Sequence, residues 1–61
     1  MTREQHLWVS QHMRDTARAH ERLELEAYRS GDENAADFHF TAAEAIGAAL
    51  AVLDKHMENK E

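Results

Sequence analysis

The sequence predicts an all-α fold, an antiparallel hairpin of two helices. The 61 residues contain no proline and only two glycines, while the helix-favouring residues Ala, Glu, Arg and Leu are abundant. Few residues are β-branched, and no stretch alternates apolar and polar residues with a period of two. The only break is Ser-Gly-Asp-Glu at 30–33. We therefore expect a single domain over 1–61, with a helix at about 3–29, a turn at 30–32 and a helix at about 33–57.

The ends of both helices carry recognisable capping residues. Thr2 and Gln5 have the spacing of a capping box at the start of the first helix. In such a box each of the two side chains accepts a hydrogen bond from the backbone N–H of the other residue. Gly31 can adopt the left-handed conformation that ends a helix. Asp32 can then cap the second helix, and Glu33 lies near the positive end of its dipole.

Apolar residues recur at alternating spacings of three and four along both helices, which is a heptad-like pattern. The first helix has one such stripe: His6, Val9, Met13, Thr16, His20, Leu23 and Ala27. The second helix has two adjacent stripes. The first contains Ala35, Phe38, Ala42, Ala45, Ala49, Val52 and His56. The second contains His39, Ala43, Ile46, Leu50, Leu53 and Met57.

Two apolar stripes on one helix require two partners, because a neighbouring helix covers only one. We therefore expect the second helix to pack on the first helix of its own chain and on a second subunit, so that two hairpins form a four-helix bundle. The residues expected at the self-association surface are Ala43, Ile46, Leu50, Leu53 and Met57. A monomer whose apolar side docks onto a different protein is the alternative.

This architecture resembles that of the Rop (repressor of primer) family. The resemblance lies in the Met-Thr start, the length, the acidic turn GDENAAD at 31–37 and the heptad stripes with small residues. It implies a homodimer of helical hairpins, and the family binds paired RNA loops through the outer faces of its first helices. The family uses an exposed phenylalanine there, whereas Phe38 and Phe40 of this chain both lie in the second helix. The fold is therefore carried over and the activity is not.

The outer side of the first helix is the predicted partner-binding surface. It combines arginines with apolar side chains, which are frequent at the energetic centres of protein interfaces. Its residues are Leu7, Trp8, Gln11, Arg14, Arg18, Arg22, Leu25 and Arg29. Arg14, Arg18 and Arg22 could also follow a phosphate backbone, but the chain has a net charge of −5. Acidic residues three or four positions away predict local ion pairs: Asp15–Arg18, Arg18–Glu21, Arg22–Glu26 and Glu26–Arg29.

Five histidines are many for this length, but their spacing matches no metal motif. His6 and His56 would lie at the same height in a hairpin and could hold an ion, although two ligands do not complete a zinc site. We predict no metal and no cofactor. No nucleotide-binding or metalloprotease motif and no cysteine is present, so we expect the protein not to be an enzyme.

No membrane partner is expected, because the apolar run at 42–53 is shorter than the roughly 20 residues that a membrane span needs. The first ten residues do not form a signal peptide, and the absence of cysteine fits a cytoplasmic location. We expect a small regulatory or adaptor protein of the phage or plasmid type, a homodimer that acts by binding another protein. A Rop-like RNA-binding regulator and a purely structural oligomer are the alternatives.

Overall fold

The computed structural model describes residues 1–60, with side chains for residues 1–57. It contains two α-helices of 28 residues each, α1 (Arg3–Ser30) and α2 (Glu33–Lys60). They pack side by side as an antiparallel pair. The predicted all-α helical hairpin is therefore confirmed.

The start of α1 is fixed by the predicted capping box. The Thr2 hydroxyl oxygen accepts a hydrogen bond from the Gln5 backbone N–H at 3.1 Å, and the Thr2 backbone N–H donates to Gln5 Oε1 at 2.8 Å. These two bonds occupy donors that have no partner within the helix, so the first turn is held without help from tertiary contacts.

The turn between the helices also forms as the sequence predicts. Gly31 has a φ of 79°, in the left-handed region, and its N–H donates to the Tyr28 carbonyl oxygen at 3.1 Å. The N–H of Asp32 donates to the Ala27 carbonyl oxygen at 2.8 Å, and Asp32 Oδ1 accepts from the Ala35 N–H at 3.0 Å. The chain thus reverses direction within two residues, with the end of α1 and the start of α2 both capped.

The sides of the helices that face each other follow the three-and-four spacing. On α1 they are His6, Ser10, Met13, Ala17, His20, Glu24 and Ala27, all buried or half-buried. On α2 they are Ala36, His39, Ala43, Ile46, Leu50, Leu53 and Met57, also buried or half-buried. Hydrogen-bonding contacts from His20 to His39 and from Ser10 to Asp54 join the helices toward either end of this interface.

This arrangement differs from the expected use of the two stripes on α2. The residues expected at a self-association surface lie on the α1-facing side and are half-buried: Ala43, Ile46, Leu50, Leu53 and Met57. The stripe that includes Phe38, Ala45, Ala49 and Val52 is the one left exposed. In the middle of α2 the α1-facing side has Ile46 and Leu50 where the exposed stripe has Ala45 and Ala49, and the longer side chains fill the space between the helices better than alanines do.

The hairpin is a single layer of helices. Its extents are 46 × 15 × 11 Å, as expected for two helices that lie side by side. Among the described residues, Ala27 and Ala36 are the only buried hydrophobic ones. The accessible surface is 4805 Å², whereas a compact monomer of 7.0 kDa is expected to have about 4000 Å². One layer cannot enclose a hydrophobic core, since a stable domain needs two.

The two glycines provide a direct test of this local structure. A Cβ added at either Gly31 or Gly47 meets no atom within 4 Å, so only backbone conformation distinguishes them. Gly31→Ala should lower the free energy of unfolding by about 1–2 kcal/mol, because alanine disfavours the left-handed region. Gly47→Ala should raise it by about 0.5–1 kcal/mol, because Gly47 lies inside α2. Urea unfolding of both variants measures the two changes, and equal signs would contradict this account.

Candidate binding surfaces

A polar cluster centred on Asp54 joins the open ends of the helices. Asp54 Oδ1 accepts a hydrogen bond from the Ser10 hydroxyl at 3.1 Å and lies 3.1 Å from His6 Nε2. Asp54 Oδ2 accepts from the Arg14 guanidinium at 3.3 Å. Ser10 is only 1% exposed, and its hydroxyl is satisfied by Asp54 and by a longer contact of 3.4 Å to His6 Nε2. The Asp54 cluster therefore fixes the register of α2 against α1.

The Asp54 cluster contains Ser, His and Asp but lacks the geometry of a nucleophilic triad. In a triad the carboxylate orients the imidazole through one nitrogen, and the serine bonds to the other. Here Asp54 and Ser10 both approach His6 Nε2, while His6 Nδ1 is buried and has no hydrogen-bond partner among the described residues. A substrate cannot reach the buried Ser10 hydroxyl. The cluster connects the two helices by hydrogen bonds.

One broad side of the hairpin is charged. Arg14 and Asp54 lie at the edge of the interhelical groove on this side, and residues at heptad intervals from them continue along it. Glu21 and Glu24 of α1 and Phe40, Ala43 and Glu44 of α2 line a shallow groove there. We call this the charged side.

The opposite broad side is apolar. Successive residues rotate by about 100° around each helix, so Val9, Thr16 and Leu23 follow one line of α1 away from the charged side. On the same broad side, Phe38, Ala45 and Val52 follow a line of α2 that lies further from α1, beyond Ala42 and Ala49. The six residues form three pairs at equal heights, which we call the apolar face: Val9 with Val52, Thr16 with Ala45, and Leu23 with Phe38.

The apolar face is open to solvent in the hairpin. Phe38 is 63% exposed, Val52 is 70% exposed and Leu23 is 41% exposed. The alanines between its larger residues on α2, Ala42 and Ala49, add no polar group, and none of the six defining positions is charged. A continuous exposed surface of this composition is typical of a protein interaction site.

The outer face of α1 carries the predicted partner-binding residues. All eight are exposed: Leu7, Trp8, Gln11, Arg14, Arg18, Arg22, Leu25 and Arg29. Trp8 is 69% exposed, and its indole stacks on the His12 ring with a centroid distance of 5.5 Å and an interplanar angle of 4°. A shallow groove beside it is lined by Met1, Glu4, Gln5, Trp8 and Val9. Arg14 donates a hydrogen bond to Asp54 of α2, so its guanidinium is less available to a partner protein than those of the other arginines.

The expected ion pairs on this face do not form. Within the part of the chain that has described side chains, Arg18, Arg22 and Arg29 make no ion pair with the acids three or four residues away. Asp15 instead accepts a hydrogen bond from the Gln11 amide at 2.9 Å. Long exposed side chains gain little from such pairs because water screens the charges and ordering the side chains costs entropy. The three guanidinium groups are thus exposed toward solvent.

The histidines are distributed differently from the expected His6–His56 pair. His6 belongs to the Asp54 cluster, His56 is exposed, and His12 stacks on Trp8. His20 and His39 meet across the hairpin interface, with 2.9 Å between their Nδ1 atoms. Residues 1–57 contain no group of three or more His, Cys, Asp or Glu side chains that could hold a metal ion.

No family model, curated protein or solved structure matches this chain. The resemblance to Rop therefore rests on the helical hairpin and on the sequence features given above.

The second helix is also long and apolar enough to meet the length and composition criteria for a membrane span. Residues 33–57 have a mean hydropathy of 1.3 over their most apolar window, and little of that window is buried in the hairpin. One such helix is weak support for a membrane span, because a core helix of a soluble protein meets the same criterion. The absence of a membrane partner and the cytoplasmic location stay predictions.

Two of the structurally important residues were not singled out from the sequence. In the sequence, Ser10 and Asp54 each resemble a polar residue on a solvent-exposed helix surface. The two residues that form this hydrogen bond are 44 positions apart in the chain. The signal that could have found Ser10 is its spacing, since it lies four residues after His6 and three before Met13 on the α1 side that faces α2. Asp54 follows the apolar run directly, one residue from the interface position Leu53.

Proposed function

We propose that this protein is a small regulatory or adaptor protein. It forms a two-fold dimer of hairpins through the apolar face and binds another protein with the outer face of α1. The observation that supports the dimer most strongly is that the single layer of helices leaves Phe38 and Val52 more than half exposed on one uncharged side.

The size of the exposed surface fits a dimer. The hairpin exposes about 800 Å² more than a compact chain of its mass should, which is about the area that each partner buries in an interface of ordinary size. Covering the exposed part of Leu23, Phe38 or Val52 contributes about 1 kcal/mol each. A two-fold dimer covers six such side chains, a contribution comparable to the whole stability of a small domain.

The shape of the apolar face also suits helix packing. The small side chains Ala42, Ala45 and Ala49 lie between Phe38 and Val52, so a second helix can approach α2 closely along its middle. Two hairpins joined in this way form two layers with four helices, which is the arrangement that encloses a core. The charged side then remains in solvent.

The outer face of α1 lies on the opposite side of that helix from α2, so dimerisation does not cover it. It presents an exposed indole, an exposed leucine at Leu25 and the guanidinium groups of Arg18 and Arg22. Aromatic, aliphatic and arginine side chains together favour a protein partner with an acidic, partly apolar surface. This is the basis for the adaptor function.

The alternative function is a Rop-like RNA-binding regulator. The unpaired guanidinium groups of Arg18, Arg22 and Arg29 support it, because a dimer would present two such rows to a phosphate backbone. The net charge of −5 and the absence of a phenylalanine from α1 favour the protein partner instead.

Assembly through the apolar face can be tested with a matched pair of substitutions on α2. Ala45→Glu should abolish the dimer, because the interface would bury a carboxylate without a partner. Ala51→Glu places the same charge on an exposed position outside the apolar face and should leave the dimer intact. Light scattering after gel filtration gives the mass of each species. A dimeric, fully helical Ala45→Glu variant would exclude this face as the interface.

The partner-binding role can be tested by affinity purification from the native host. The double variant Arg18→Gln/Arg22→Gln should lose a specific protein that the wild type retains, since it lacks two charges of the outer face. Lys55→Gln, which removes an exposed charge from α2, is the matched control and should retain that protein.

The same experiment separates the two functions. Treatment with RNase should leave the captured protein bound if the partner is a protein. Loss of the captured material after RNase treatment, together with affinity that falls steeply with salt, would support the RNA-binding alternative. Equal capture by the wild type and the double variant would refute a role for the arginines of this face.

A further inference from the structure

The contact between His20 and His39 brings together two imidazole nitrogens from different helices. Their Nδ1 atoms are 2.9 Å apart, their ring centroids are 5.1 Å apart, and the ring planes are inclined at 37°. Both residues are half-buried, and the Phe38 ring meets each of them edge-on. Without a bound cation, one Nδ1–H donates a hydrogen bond to the other Nδ1.

The separation of the two nitrogens also matches that of two adjacent ligands of a metal ion. Imidazole nitrogens bind zinc at about 2.0–2.1 Å, and two nitrogens at this distance and at right angles around an ion lie about 2.9 Å apart. Right-angled coordination by nitrogen is typical of Ni²⁺ and Cu²⁺. The hairpin supplies the two nitrogens from separate helices, so both ligands are held close together before an ion binds.

We propose that His20 and His39 chelate a divalent transition metal ion through their Nδ1 atoms, with water in the remaining coordination positions. The class of ion is the one that combines imidazole ligands with right-angled coordination: Ni²⁺ or Cu²⁺. Binding requires the donor imidazole to carry its proton on Nε2 instead of Nδ1, so that both Nδ1 lone pairs are available to the ion, and it links α1 to α2. The proposal does not rest on the dimer, because a single hairpin contains both ligands.

The other histidines do not offer this geometry. His6 already meets Asp54 and Ser10, and His12 stacks on an exposed indole. His56 is exposed on α2. These residues therefore serve as internal controls, because each keeps an imidazole while lacking a second imidazole at chelating distance in the described part of the chain.

Titration of the untagged protein with Ni²⁺, followed by calorimetry, tests the proposal. The wild type should bind one Ni²⁺ per chain, and its thermal unfolding midpoint should rise because the ion binds the folded hairpin preferentially. His20→Gln and His39→Gln should each weaken binding about a hundredfold, because the second ligand no longer binds in an intramolecular step. His12→Gln and His56→Gln should bind as the wild type does.

Proton NMR of the wild type provides a measurement that does not depend on the folding of a variant. Substoichiometric Ni²⁺, which is paramagnetic, should broaden the ring signals of His20 and His39 before those of His12 and His56. Uniform broadening of all the histidines, or equal loss of binding in His12→Gln, would overturn the proposal. The dimer is measured separately in EDTA, so failure of metal binding and failure of assembly are distinguishable.

Discussion

The constraint on which this structure depends is the thickness of one helix. Two helices side by side form a single layer, and most of the residues between them remain partly exposed to solvent. The side chains that face the neighbouring helix are therefore mostly half-buried, and full burial of hydrophobic residues within the described chain is reached only by Ala27 and Ala36. The hydrophobic effect can stabilise such a layer fully only when a second layer covers it.

The two broad sides of the layer differ in composition and in the contacts that they make. The charged side contains Asp54 and its partners, which set the register of the two helices by specific hydrogen bonds. Polar groups at such positions contribute less to stability than to the choice of one alignment over others. The apolar face carries exposed hydrophobic side chains, which form the interface in the dimer that we propose. In that proposal register and assembly are governed by different residues, so each can be changed without the other.

The sequence predicted the parts of the fold that depend on local chemistry. The box formed by Thr2 and Gln5 and the left-handed Gly31 are governed by neighbours within five residues, and both appear as expected. The choice between the two stripes of α2 was not predictable in this way, because both are apolar and the spacing fits either. It was decided by how Ile46 and Leu50 fill the interhelical space, which is a property of the packed pair.

The candidate sites were predictable to different degrees. The eight residues of the outer face of α1 are exposed as expected, since their position follows from helical periodicity alone. The ion pairs expected there did not form, because local spacing permits a pair without making it favourable in water. The Asp54 cluster and the contact of His20 with His39 depend on which residues lie opposite one another across the hairpin. That alignment results from the packing of the two helices and cannot be read from local sequence patterns.

The most direct test of the central claim is the dependence of stability on concentration. Thermal unfolding of the wild type from about 1 to about 100 μM, with the mass determined by sedimentation equilibrium, compares a lone hairpin with an assembly. We expect an unfolding midpoint that rises with concentration and a mass twice the 7.0 kDa of the chain. A fully helical species of 7.0 kDa, with a midpoint that does not change over this range, would contradict the account.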